Sequence, residues 1–209
     1  MNFYIAIIDF NMGNLKSVSK ILQYLNVQYL ITSNQKDIAN ANIVILPGVG
    51  AFKDAIKNLK KMKLIEVLNE IVSNGTLLFG ICLGLQLFFK KSFENGKHDG
   101  LNFIEGKVVP FDIDKVKKVP HVGWNNVNFI NSNHYLFNGI PNNAYFYFVH
   151  SYYAIPEKKE LIIGTTQYEK TEFASIVMKN NVIATQFHPE KSGKNGIQIF
   201  KNIIEHWKK

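Results

Sequence analysis

The sequence predicts an α/β fold: an open, mostly parallel sheet with helices on both faces and antiparallel additions in its second half. Three observations carry the expectation. Through the first half, short apolar runs alternate with helix-spaced segments, the signature of a parallel sheet covered on both sides. From Gly100 onward the runs become short, β-like and separated by turn residues, and an amphipathic segment at 196–207 closes the chain. No internal repeat, low-complexity tract or linker interrupts the 209 residues, which reads as one domain over 1–209.

Taken in order, residues 4–8 are an apolar run ending at Asp9, a first central strand. Asn11-Met12-Gly13-Asn14 is a turn, and 15–25 has helical spacing through Leu15, Val18, Ile21, Leu22 and Leu25. Residues 27–31 and 41–46 read as the next strands, the second stopped by Pro47-Gly48. Helical periodicity runs over 52–72, through Ile56, Leu59, Leu64, Ile65, Leu68, Ile71 and Val72, with Asn74-Gly75 as the stop signal. Residues 77–79 form a short buried strand, and 83–89 is apolar and helix-compatible. Six β-like runs follow, at 107–111, 126–129, 145–149, 161–166, 173–178 and 182–186. In such a sheet ligands gather beyond the carboxyl ends of the strands, where the turns after Asp9, after Leu46 and at Cys82 fall together.

Bulk composition narrows the function. Hydrophobic residues at 46% and charged residues at 19% describe a globular chain, and no apolar run is long enough to span a bilayer. Met1-Asn2-Phe3-Tyr4-Ile5 has no basic region ahead of its apolar stretch, so no signal peptide is expected. The single cysteine excludes an internal disulfide and fits a reducing cytoplasm. The net charge of +8 comes from lysine alone: all 24 basic residues are lysine. Without arginine's planar fork, and with the lysines spread along the chain, nucleic acid is not the expected partner. Solvated lysine surfaces, open to an acidic protein or an anionic substrate, are.

The chemistry centres on Gly80-Ile81-Cys82-Leu83-Gly84, a glycine-flanked cysteine between an apolar strand and a helix-compatible segment. This is the thiol form of the nucleophile elbow, whose tight turn needs residues lacking a β-carbon on both sides. A sulfur there sits among unpaired N–H groups at the positive end of a helix, surroundings that suit a negatively charged sulfur. A buried structural cysteine is the plainer reading of an isolated cysteine, but not of one flanked this way. A thiol nucleophile needs a base and a group that orients the base. Of six histidines, His98 and His134 lie in polar loop-like stretches, and His206 sits near the end of the last helix, where a cation suits the dipole. His188 directly follows the strand read over 182–187, is locked by Pro189 and has Glu190 two residues on. Cys82, His188 and Glu190 are therefore the expected catalytic residues. Pro47-Gly48-Val49-Gly50 has the flexibility to turn backbone N–H groups toward an oxyanion beside the sulfur.

Gly80-Ile81-Cys82-Leu83-Gly84-Leu85-Gln86 together with Gln186-Phe187-His188-Pro189-Glu190 resembles the class I glutamine amidotransferase family, whose fold is flavodoxin-like. More narrowly, the chain is similar from end to end to the glutaminase subunits of imidazole glycerol phosphate synthase. That likeness rests on Asp9-Phe10-Asn11-Met12-Gly13-Asn14-Leu15, Pro47-Gly48-Val49-Gly50-Ala51-Phe52, Val119-Pro120-His121-Val122-Gly123-Trp124-Asn125, Tyr147-Phe148-Val149-His150-Ser151-Tyr152 and His188-Pro189-Glu190-Lys191-Ser192-Gly193. Departures are modest: Asn11, Phe10, Val122 and Leu85 stand where the family more often has glycine, tyrosine, methionine and methionine.

The resemblance implies hydrolysis of L-glutamine through a Cys82 thioester, with His188 moving protons and Glu190 holding the imidazole, and without a cofactor or metal. It implies an oxyanion hole from the N–H of Leu83 and one near Val49, and glutamine contacts from Gly50, Gln86, Ser151 and Tyr152. Gln86 also has a plainer reading as a cap on local backbone. The ammonia would pass to a docked (β/α)8-barrel synthase of histidine biosynthesis, with Asn14, His121 and Trp124 at the docking face; for Trp124 core packing is an equal alternative. A misoriented glycine turn at 47–50 would keep the isolated chain nearly silent until that partner binds. Two alternatives stay open: a paralogous subunit feeding a synthase that modifies a surface sugar or nucleotide sugar, and a catalytically silent binding subunit. A cysteine peptidase is disfavoured, because Phe88-Phe89-Lys90 after the elbow holds no histidine.

Overall fold

The first strand shows how both faces of the sheet come to be buried. In the computed structural model, which describes residues 3–208, all four residues of β1 (Ile5–Ile8) are buried. Ile5 and Ile7 point to one apolar layer and Ala6 and Ile8 to the other, as a two-residue side-chain period requires. Met1 and Asn2, within the stretch read for a leader, lie outside the described residues, as does Lys209.

The chain continues through α1 (Leu15–Tyr24), β2 (Tyr29–Thr32), α2 (Gln35–Ala39), β3 (Ile43–Gly48), α3 (Phe52–Lys61), α4 (Leu64–Ser73), β4 (Leu77–Cys82) and α5 (Leu83–Leu87). Then come β5 (Phe89–Ser92), β6 (His98–Asp99), β7 (Ile104–Pro110), β8 (His121–Phe129), β9 (Ala144–His150), β10 (Tyr152–Pro156), β11 (Ile162–Tyr168), β12 (Thr171–Lys179), β13 (Val182–Thr185) and α6 (Gly193–Trp207). Among the described residues the main sheet has the order β2-β1-β3-β4-β13-β12-β11-β8-β9. It is parallel from β2 to β13 and antiparallel from there to β9. Val18 and Leu22 of α1 and Ile199 and Phe200 of α6 cover one face, and Ile38, Phe52, Leu59 and Leu68 of α2, α3 and α4 cover the other.

The sequence reading differs from the structure where periodicity runs through a break. The single helix expected over 52–72 is two, because Lys63 takes a left-handed conformation (φ 54°) between them. Leu59 and Leu64 stay buried on either side, so the apolar rhythm survives the interruption. The helix expected over 83–89 stops at Leu87, since Phe89 pairs with Ile104 in a second, four-stranded sheet of order β10-β7-β5-β6. That sheet was not foreseen, nor was α2. Its strand β10 follows β9 after one residue, Ser151, where the chain steps between sheets without any turn signal. Pro47 and Gly48 extend β3 instead of stopping it: β1 pairs with β3 only as far as Ile7–Ile45, which leaves a free edge where a missing N–H breaks no ladder.

Candidate active site

β4 runs past Phe79 to Cys82, which stands opposite Gly48 in the parallel ladder with β3. Cys82 has φ 55° and ψ −105°, a conformation that costs a side-chain-bearing residue about 1–3 kcal/mol and persists only when its surroundings over-determine it. Here they do. A β-carbon on Gly84 would collide with the Leu46 carbonyl oxygen, and one on Gly80 with the Phe88 ring, so the turn is wedged between β3 and α5. The sulfur is 3.8 Å from the Val149 carbonyl oxygen and 3.7 Å from Nε2 of Gln186.

His188 reaches the same place from β13, whose Thr185 pairs with Ile81 one residue before the cysteine. Its backbone is clamped to β9 by its own N–H donating to the Tyr147 carbonyl at 2.9 Å, while the Ser192 hydroxyl donates to its carbonyl at 2.6 Å. Glu190 lies in a 3₁₀ turn at Pro189–Lys191 and brings Oε1 to 2.7 Å from Nδ1 of His188, with the two side chains only 2% and 1% exposed. A carboxylate on Nδ1 holds the proton there and leaves Nε2 as the acceptor. Nε2 is buried and short of a formed hydrogen bond. Burial alone would lower the imidazole's pKa, but the charge and weak hydrogen bonding of Cys82, then the hydrogen bond and charge of Glu190, outweigh it and raise it to about 10. A thiol, an imidazole whose Nε2 can hold the thiol's proton and an orienting carboxylate thus converge, a set competent for acyl transfer.

Cys82 and His188 open on a cavity of about 330 Å³, large enough for a small polar substrate. Val49, Gly50, Leu83, Gln86, Ser151 and Tyr152, all named from the sequence, line it. Gly50 has φ 99°, and neither it nor Val49 donates its N–H to another backbone group among the described residues. Gln86 is buried, with Nε2 donating to the Tyr152 carbonyl at 3.0 Å and to Oε1 of Gln186 at 3.2 Å, so it braces β10 as well as facing the cavity. Glu94 also lines the cavity and accepts the Phe52 N–H at 2.8 Å; sequence reasoning missed it, because a lone glutamate in the loop after β5 carries no local signal.

The expected docking residues divide. Trp124 is 56% exposed beside Tyr147, which removes core packing as its role. Asn14 caps α1, its side chain accepting the Ser17 N–H. His121 corrects the expectation: its ring is buried, stacked on Phe148 and Tyr168 and hydrogen-bonded to His150, so it is a core group and not a surface contact. His98 and His134 are half-buried instead of solvent-facing, His134 accepting the Leu136 N–H and His206 stacking on Tyr135. Among the described residues no His, Cys, Asp and Glu cluster is arranged to hold a metal, and no helix is long and apolar enough to cross a membrane.

An elbow cysteine, a strand-end histidine and an orienting glutamate on a sheet of order 2-1-3-4 describe a triad amidotransferase, and comparison with known proteins agrees. The model of the family glutamine amidotransferase class-I matches residues 6–207, and the chain belongs to that family. It is 46% identical over 200 residues to the imidazole glycerol phosphate synthase subunit HisH of Carboxydothermus hydrogenoformans, covering 96% of this chain and 98% of the relative. It is 47% identical over 205 residues to subunit HisH 1 of Methanococcus maripaludis, at 96% and 98% coverage. Among solved structures, PurLQS from Thermotoga maritima shares the fold with a TM-score of 0.75 at 16% identity, each chain covered to 99%.

Proposed function

We infer that this chain is the glutaminase subunit of an imidazole glycerol phosphate synthase, releasing ammonia from L-glutamine for histidine biosynthesis. The observation that carries the chemistry is the strained Cys82 facing a His188 whose other nitrogen is held by Glu190. Full-length identity of 46–47% to the named subunits supports the pathway. Cys82 sulfur attacks the side-chain amide carbon of glutamine while Nε2 of His188 holds the thiol proton. The tetrahedral oxyanion is met by the N–H groups of Leu83 and Val49. Its collapse breaks the C–N bond, and His188 delivers the proton so that nitrogen leaves as ammonia. Water, deprotonated by the same imidazole, then cleaves the thioester to glutamate and restores the thiol.

Gly50, Gln86, Ser151 and Tyr152 contact the amino-acid end of glutamine, and the Glu94 carboxylate suits its ammonium group. The ammonia passes to a (β/α)8-barrel synthase docked over the exposed Trp124 and the half-buried Asn14. Aromatic side chains anchor such faces because they bury much area with few rotors to freeze. The test is glutamine hydrolysis by the full chain alone and with the barrel synthase. Near-silence alone, strong stimulation by the partner and loss of stimulation in Trp124→Ala are expected; no hydrolysis under either condition, or equal rates in both, overturns the reading.

A further inference from the structure

Seven groups form one continuous chain of hydrogen bonds from β8 to the nucleophile, with donors converging on the Tyr152 carbonyl from His150 on one side and Gln86 on the other. The Asn125 amide is oriented twice, since Oδ1 accepts the Asn126 N–H at 2.8 Å and Nδ2 donates to the Gln167 carbonyl at 3.0 Å. Nδ2 also lies 3.3 Å from Nε2 of His121, which must therefore accept. The proton of His121 is then on Nδ1, which donates to Nε2 of His150 at 3.0 Å. His150 in turn carries its proton on Nδ1 and donates to the Tyr152 carbonyl at 2.9 Å. Both imidazoles are neutral in this arrangement, and burial favours that form for each.

The Tyr152 carbonyl can only accept, so the Gln86 atom 3.0 Å from it is Nε2. The atom of Gln186 that lies 3.2 Å from that same nitrogen is then Oε1, which leaves its amide nitrogen turned to the sulfur at 3.7 Å. Gln186 is fully buried, and turning its amide over would set its NH₂ against that of Gln86. We propose that Gln186 is a further catalytic residue, an obligatory N–H donor to the Cys82 sulfur, held in that sense by the Gln86 amide, which the Tyr152 carbonyl orients. A donor aimed at sulfur stabilises it when negatively charged and gives nothing to its proton, so Gln186 supports the attacking form that His188 generates. The same bonds tie the nucleophile to Gln86 and Tyr152, the groups placed on glutamine. This assignment rests on the amidotransferase reading of the site.

Because the chain has a single cysteine, iodoacetamide reports on Cys82 alone and requires no glutamine turnover. Gln186→Glu keeps the shape and the acceptor for Gln86 but sets a carboxylate against the sulfur. Its alkylation rate at neutral pH, relative to its own alkaline plateau, should fall about tenfold or more. Gln186→Met, which removes the donor, should show a smaller fall in the same ratio. Alkylation ratios equal to wild type in Gln186→Glu or in folded Gln186→Met overturn the proposal. Should Gln186→Met fail to fold, Gln186→Glu decides it. Altered alkylation without glutaminase activity in the partner complex would instead strike the amidotransferase reading.

Discussion

Replacing Glu190 by glutamine tests the base most directly, because it keeps the side chain's size while removing its charge. In the wild type, Oε1 accepts from Nδ1 of His188 at 2.7 Å with both side chains almost wholly buried. A buried charge-assisted hydrogen bond of this kind is worth about 1.5–3 kcal/mol, or roughly 10–150-fold in rate if it is lost while the imidazolium develops. The substitution does more than weaken the bond. A glutamine amide can turn its NH₂ toward Nδ1, which moves the ring proton to Nε2 and leaves no acceptor for the thiol proton. With both effects, glutamine hydrolysis by the complex should fall on the order of 10³–10⁴-fold while the chain stays folded. The imidazole should also titrate at lower pH, since the Glu190 hydrogen bond and charge help to raise it to about 10. Activity within tenfold of wild type, or an unchanged His188 titration by NMR, would refute the argument that Glu190 sets the tautomer.

Two further predictions concern stability. Gly84→Ala drives a β-carbon into the Leu46 carbonyl oxygen, a backbone atom that cannot step aside, so denaturant unfolding should show a loss of about 1–3 kcal/mol or more; an unchanged midpoint would mean that the elbow is not wedged against β3. Burial holds His121 down to about 4 and His150 to about 3, against an ordinary 6.5. Being depressed bases, they contribute stability that is fully present above pH 6.5 and lost as pH falls toward 4 and 3, with a slope of up to about 1.4 kcal/mol per pH unit for each. The melting temperature should therefore drop more steeply with acid in wild type than in His121→Asn, and parallel curves would contradict the neutral pair.

Local chemistry made the nucleophile and its base legible before any coordinates, and the family resemblance supplied most of the cavity wall. Gly80 and Gly84 around Cys82, and Pro189 after His188, are backbone devices whose cost or benefit lies within a few residues, so sequence spacing alone exposes them. The strand alternation of the first half was legible for the same reason. What spacing does not carry is a partner's distance. The break at Lys63 hid because the residues on either side keep the same apolar rhythm, and β10 hid because Ser151 switches sheets without a turn residue.

The sequence by itself determined the elbow, the triad and the parallel half of the sheet, because each is written in contacts between near neighbours or in a repeating pattern. Tertiary structure alone decided that Trp124 is exposed and His121 buried, though the two lie three residues apart on one strand, because opposite fates there depend on what β9 and β11 bring against each face. It also decided the roles of Glu94 and Gln186, since a lone polar side chain acquires its meaning only from the distant groups that the fold sets beside it.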